Sequence, residues 1–212
     1  MRLLFINPNS TEAMTDSVVS VARQAVPQAE VLGWTNHDGP AAIQGAEDGE
    51  MAVDGLLSLL PKAKSARTDA IVIACFDDTG LDLIRAAAHC PVIGIGQAAM
   101  TVAALHQGPF GIVTTLDVSV PVITANVASY GYQAVCTGVL ASGVPVLEVE
   151  AGGASVETQL VATILRSRDA GAHAIILGCA GMCRMSAALT ARTGAVLVDG
   201  VQTSAHLASA LA

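Results

Sequence analysis

Eight short aliphatic runs alternate with eight helical patterns along almost the whole chain, and the alternation repeats itself once. The runs lie at 3–6, 30–34, 70–74, 92–95, 111–114, 134–139, 174–177 and 195–198. Runs of Val, Ile and Leu bounded by turn residues read as strands buried on both faces, which is the signature of parallel sheet. Between them, 12–25, 47–65, 81–88, 98–106, 118–129, 156–168, 185–191 and 201–211 read as helices. Each run of the second half starts 103 to 108 positions after its counterpart in the first. The chain therefore reads as a duplicated βαβαβαβα unit, an α/β fold in which each half forms a small parallel sheet with right-handed crossovers. A single eight-stranded doubly wound sheet is the alternative.

Composition narrows the function classes. With 212 residues the chain can bury a core without disulfides. Net charge is −8 and the 10 basic residues never cluster, so no patch could neutralise consecutive phosphates, and nucleic-acid binding is not expected. Five cysteines without close regular spacing fit a reducing compartment, and the start MRLLFINPNS lacks a signal-peptide apolar core, so a cytoplasmic location is expected. Cys90 and Cys136 read as ordinary core. Mean hydropathy is +0.57 and 91–116 carries no Asp, Glu, Lys or Arg, but Pro91, Gly94, Gly96, Gly108 and Pro109 punctuate it at element ends. No membrane span is expected.

Two cysteines stand out. Cys75 and Cys179 follow the third run of each half, 104 positions apart, where open α/β sheets place their chemistry. If the halves face each other about a pseudo-two-fold axis, the thiols converge from opposite sides. Such a pair suits proton removal from a carbon beside a carbonyl on one face and proton return on the other. Asp77 and Asp78 would raise the pKa of Cys75 if they pointed inward, so they are expected to turn away or to cap the helix beginning near Thr79. Pyridoxal phosphate is not expected, since the only lysines, Lys62 and Lys64, sit at the far end of a helix. Cys179 and Cys183 at i and i+4 lack a second ligand pair at zinc spacing, so no metal is expected. Asn9, followed at three residues by Glu12, is either a helix-start box or a ligand contact. Thr114 and Thr115 close the matching strand and offer hydroxyls and amides to an enolate oxygen, or are plain strand residues. GIGQAA at 94–99 superficially fits a dinucleotide fingerprint, which keeps a non-catalytic ligand-binding or NAD-binding protein open.

INPNST at 6–11, GPAAIQG at 39–45, CFDDTGL at 75–81, VIGIGQAA at 92–99, FGIVTT at 110–115 and LGCAGM at 177–182 together resemble the hydantoin and allantoin racemase branch of the Asp/Glu racemase superfamily. VDGV at 198–201 continues the likeness, which spans nearly the whole chain. The resemblance implies two pseudo-symmetric lobes, each a four-stranded parallel sheet flanked by helices, with the active site in the cleft between them. Its last helix would pack back on the first lobe, giving 1–96 plus 200–212 as one lobe and 97–199 as the other. It implies cofactor-independent racemisation of a small molecule, a 5-monosubstituted hydantoin or allantoin, by Cys75 and Cys179, in a homo-oligomer. The ring would be held by Asn9, Phe76, Thr114, Thr115, Ala180 and Gly181, with Ile43 as an apolar wall. Amino-acid racemases of the superfamily usually carry Cys-Asn-Thr and Cys-Thr-His at the two sites. This chain has Cys75-Phe76-Asp77 and Cys179-Ala180-Gly181, and the missing His disfavours an aspartate or glutamate substrate, the runner-up. Ala42, Gln44 and Gln97 also depart from that branch, which leaves the ring substituent open.

Overall fold

The computed structural model describes all 212 residues. Two separate four-stranded parallel sheets form, which rules out the single eight-stranded sheet. The first contains β1 (Arg2–Asn7), β2 (Glu30–Thr35), β3 (Ala70–Ile73) and β4 (Val92–Gly94) in the order β2-β1-β3-β4. The second contains β5 (Phe110–Thr114), β6 (Cys136–Ala141), β7 (Ala174–Leu177) and β8 (Val196–Asp199) in the order β6-β5-β7-β8, the same arrangement four strands later. Strands β3 and β7, AIVI and AIIL, are buried at every position because each lies inside its sheet and is covered on both faces. The edge strands β2 and β6 are only partly buried.

The flanking helices are α1 (Glu12–Ala25), α2 (Ala46–Ser65), α3 (Leu81–Ala87) and α4 (Ile95–Ala104), then α5 (Val120–Ser129), α6 (Val146–Ala151), α7 (Ala154–Asp169), α8 (Ser186–Thr193) and α9 (Gly200–Leu211). Helix α6 was not legible in the sequence. It is a short turn of helix between Pro145 and Gly152, whose φ of 72° ends it. Residues Asp117–Ser119 and Ala180–Met185 wind as 3-10 turns. Strand β6 starts at Cys136 rather than 134, because the amides of Val135 and Cys136 both bond back to the Tyr132 carbonyl in a turn.

A cluster of 29 buried residues joins the two halves, with Leu3, Phe5 and Val72 of the first sheet and Phe110, Ile112 and Ile176 of the second in one apolar mass. Side chains alternate along a strand, so the opposite faces supply two further clusters. Leu4, Ile6, Ile71 and Ile73 pack with Leu56 and Leu60 of α2, and Val113, Ile175 and Leu177 pack with Leu160 and Ile164 of α7. Each fully buried large aliphatic side chain contributes roughly 1.5–3 kcal/mol. Helix α9 returns to pack on α4, α1 and β3, and the expected divide between residues 96 and 97 falls within α4. No helix is long and apolar enough to cross a membrane.

Candidate active site

The carboxyl ends of β1, β3, β5 and β7 deliver the polar segments to one place. Asn9, Ile43, Cys75, Phe76, Thr114, Thr115, Cys179 and Ala180 line a single cavity between the sheets. Its volume is about 20 Å³, room for roughly one water molecule. Gly181, also expected there, lies behind the wall, against Val149 and Glu150. Its backbone amide instead acts on the Cys179 thiol to lower its pKa. Met14, Ala74, Asp77, Ser119, Val146 and Gly178 complete the lining, none of them expected there from the sequence. Ser119 and Val146 ride on the 3-10 turn and on α6, elements too short to leave a periodic signal.

Burial dominates the state of both thiols. It pushes the Cys75 thiol far up, the Asp77 carboxylate adds to this, and the Thr79 hydroxyl opposes it. Cys179 is pushed up to about 12, again first by burial, with Asp77 and Glu150 adding and the amides of Gly181 and Met182 subtracting. The Cys179 charge acts in turn on Cys75, so the two sulfurs share one electrostatic environment. Cys183 does not join them. It packs in the cluster between the sheets while Cys179 belongs to the cluster on the far face.

Asp77 corrects an expectation. It neither turns away nor caps a helix, but lines the cavity beside the thiols, and its Oδ2 is buried with no hydrogen-bond partner. Burial and the neighbouring Asp78 carboxylate push it up to about 7. Asp78 does cap a helix, though a different one. Helix α3 starts only at Leu81, behind Gly80, whereas the Asp78 carboxylate accepts from Gly96 N at 2.9 Å and Gln97 N at 2.7 Å, at the start of α4. Tyr130 Oη also donates to it at 2.8 Å. Those bonds explain why α4 begins at Ile95 rather than 98. The same contact removes the dinucleotide reading of GIGQAA, because the amides a pyrophosphate would need are already bonded to Asp78. A Cβ at Gly94 would stand 2.0 Å from Asp78 Oδ1, so this glycine makes room for a carboxylate of the chain itself.

Asn9 is not a capping box. Thr11 occupies the cap position of α1, and Asn9 Oδ1 accepts from Thr11 N at 3.0 Å and from Asn7 Nδ2 at 2.9 Å. With its oxygen so held, Asn9 Nδ2 points to Met14 Sδ at 3.3 Å, a weak acceptor that a carbonyl oxygen would replace with gain. Thr114 Oγ1 donates to the Gly178 carbonyl at 3.0 Å, tying β5 to the Cys179 loop.

A strap borders the cavity, with Ile43 in its lining. Residues 39–45 leave the first half and dock on the second, where Gln44 Oε1 accepts from Val146 N at 3.1 Å and Ala42 joins the apolar cluster around Val144 and Val149. A larger cavity of about 730 Å³ lies elsewhere, among α1, α8 and α9. It holds neither Cys75 nor Cys179, which both line the small cavity.

The family model described as Asp/Glu/hydantoin racemase matches residues 3–208. The chain is 39% identical over 213 residues to a hydantoin racemase of Rhizobium meliloti, covering 100% of this chain and 88% of that one. An allantoin racemase from Klebsiella pneumoniae superposes with a TM-score of 0.95 at 33% identity, covering 100% of this chain and 87% of the other. An allantoin racemase from Pseudomonas fluorescens superposes with a TM-score of 0.93 at 30% identity, covering 100% and 90%.

Proposed function

Because this chain belongs to the Asp/Glu/hydantoin racemase family and is a racemase, we propose that it inverts the ring carbon of a 5-monosubstituted hydantoin or of allantoin, with Cys75 and Cys179 as paired base and acid. The observation that carries this is the meeting of two thiols, from matching positions of two matching sheets, in one closed cavity. In each turnover one thiolate takes the proton from the carbon beside the ring carbonyl, forming S–H and leaving a planar enolate. The other thiol gives its proton to the opposite face and becomes the thiolate. Asn9 Nδ2 is held where it can bond a ring carbonyl, and such a bond strengthens as charge moves onto that oxygen. Closing the strap excludes water, which keeps the enolate from being protonated at random.

The cavity walls also speak to substrate charge. No Lys, Arg or His lines the cavity, whereas Asp77 does. A dicarboxylate would find no cation there and one unfavourable carboxylate, a penalty that a neutral ring does not meet. The test is racemisation of optically pure 5-methylhydantoin, allantoin, aspartate and glutamate in deuterated buffer. Loss of rotation with deuterium uptake on the cyclic compounds alone is expected. Cys75→Ser and Cys179→Ser should each lower the rate by about 10³-fold or more, and full activity in either variant sinks the two-thiol mechanism.

A further inference from the structure

A two-thiol racemase has a reset problem in a cavity this closed. After one turnover the thiol and thiolate have exchanged places, and a second molecule of the same enantiomer needs the original state. One proton must leave the new thiol and one must reach the new thiolate before each productive encounter. With room for about one water, the cavity keeps little solvent beside the sulfurs to carry those protons.

Asp77 is the only titratable residue besides the two cysteines in the cavity lining, and it also lines a second cleft, open to solvent, on its far side. That outer cleft is bounded by Gly45, by the first turns of α2, including Gly49 and Glu50, by Asp78, Thr79 and Gly80, and by Val122 of α5. The backbone of Asp77 is clamped, since its carbonyl accepts from Asn126 Nδ2 of α5 at 2.9 Å. Its side-chain Oδ2 is nonetheless left buried with no partner, an arrangement that costs free energy and calls for an explanation.

We propose that Asp77 is the proton port of this enzyme: its carboxyl group, placed between the thiol cavity and the outer cleft, exchanges protons between the catalytic sulfurs and water and so resets the pair after each turnover. The port rests on the two-thiol chemistry proposed above. In one direction the carboxylate accepts the proton of the thiol, so that S–H breaks and O–H forms, and it then releases that proton to water in the outer cleft. In the other, the neutral carboxyl protonates the thiolate and regains a proton from the same water. No electron is transferred and no co-reactant is needed.

The neighbouring groups favour this role. Asp78 is tied to two backbone amides and to Tyr130 Oη, all of which stabilise its ionised form. Asp77 has no such donors at Oδ2, so of the two coupled carboxyls it is the one that readily holds the proton. Burial and Asp78 set it at about 7, poised for exchange in either direction near neutrality. The ionisable groups around it are Cys75, Cys179, Asp78 and, across the outer cleft, Glu50. All are acids, so none competes with it as a cationic donor.

The test separates reset from chemistry. At low substrate the enzyme has time to re-equilibrate between encounters, so a slow reset leaves kcat/KM untouched and limits only the saturated rate. Asp77→Asn is expected to lower kcat by about 10²-fold, with kcat/KM for optically pure 5-methylhydantoin not reduced. Asp77→Ser should show the same split, and added imidazole, a small diffusible acid and base, should restore its kcat in a concentration-dependent way. Undiminished kcat in both variants overturns the port. A parallel fall of kcat and kcat/KM, or a split that imidazole does not relieve, also overturns it, in favour of a substrate contact or a structural role. Failure of the underlying reading is distinct: there Cys75→Ser and Cys179→Ser stay active, whatever Asp77 does.

Discussion

Asp77 and Asp78 are chemically identical neighbours with opposite duties, and the difference lies in what points at each. Asp78 is buried and pushed up to about 7 by that burial, but three donors pull against it. Asp77 is pushed to about 7 with nothing pulling back at Oδ2. Both folded-state values stand above the ordinary 3.8, so the folded chain binds more protons than the unfolded one between those limits. Their contribution to stability is therefore complete below pH of about 4 and is lost as pH rises through about 7. Thermal unfolding followed from pH 5 to pH 8 should show the melting temperature falling, on the order of the window set by those carboxyls. Asp77→Asn should flatten that fall and be more stable than the parent at the alkaline end. An unchanged slope would mean that Asp77 is already ionised without penalty.

At the scale of elements, the loop from Cys75 to Gly80 is held by parts of both halves. Asp78 adopts a left-handed backbone, φ 51°, which is uncommon outside glycine and is retained here because the carboxylate caps α4 and accepts from Tyr130 of α5. Truncating it orphans two buried amides and a phenol. Asp78→Ala is expected to cost about 2–3 kcal/mol in denaturant unfolding, and Tyr130→Phe about 1.5 kcal/mol. In the double variant the losses should not add, because Tyr130 has no carboxylate left to bond. Simple additivity would show that the two side chains act independently. A similar tie links α1 to the other cysteine loop: Ser17 Oγ donates to Glu150 Oε1 at 2.6 Å, and Arg184 reaches the same oxygen at 3.5 Å.

Across the whole molecule, two sheets of the same strand order enclose one cavity, and the strap of residues 39–45 bridges the halves beside it, with Ile43 in the lining. The proposed ring substrate exceeds about 20 Å³, so its binding requires the cavity to widen, and the strap is the bridging segment whose displacement would widen it. Its polar anchor is the bond from Val146 N to Gln44 Oε1. Gln44→Ala removes roughly 0.5–1.5 kcal/mol of closure, equivalent to a twofold to tenfold fall in kcat/KM. Amide hydrogen exchange over 39–45 should quicken by a comparable factor while the sheets stay protected. Unaltered exchange in that segment would show that the apolar contacts of Ala42 and Ile43 suffice to hold the strap.

The periodicity of the chain determined the sheet content, the twofold repeat and the pairing of Cys75 with Cys179, because strand burial and chain duplication both write themselves into local sequence. It also led to Asn9, Thr114 and Thr115, which stand at the carboxyl ends of β1 and β5, where parallel sheets present side chains to a ligand. Tertiary structure alone decided the rest. Which helix Asp78 caps depends on a partner 18 residues away, and a local reading of CFDDTG sees only the nearer helix. Asp77 lines the cavity in a loop where Asp78 takes a left-handed backbone, a conformation that a non-glycine residue does not advertise. The docking of Gln44 on the second half depends on a contact spanning 102 residues, to a short helix without a periodic signal of its own. Local pattern carries information about burial and turns. Charge state and closure arise where distant segments meet, and there the dielectric and the available donors are properties of the folded assembly of atoms rather than of any stretch of sequence.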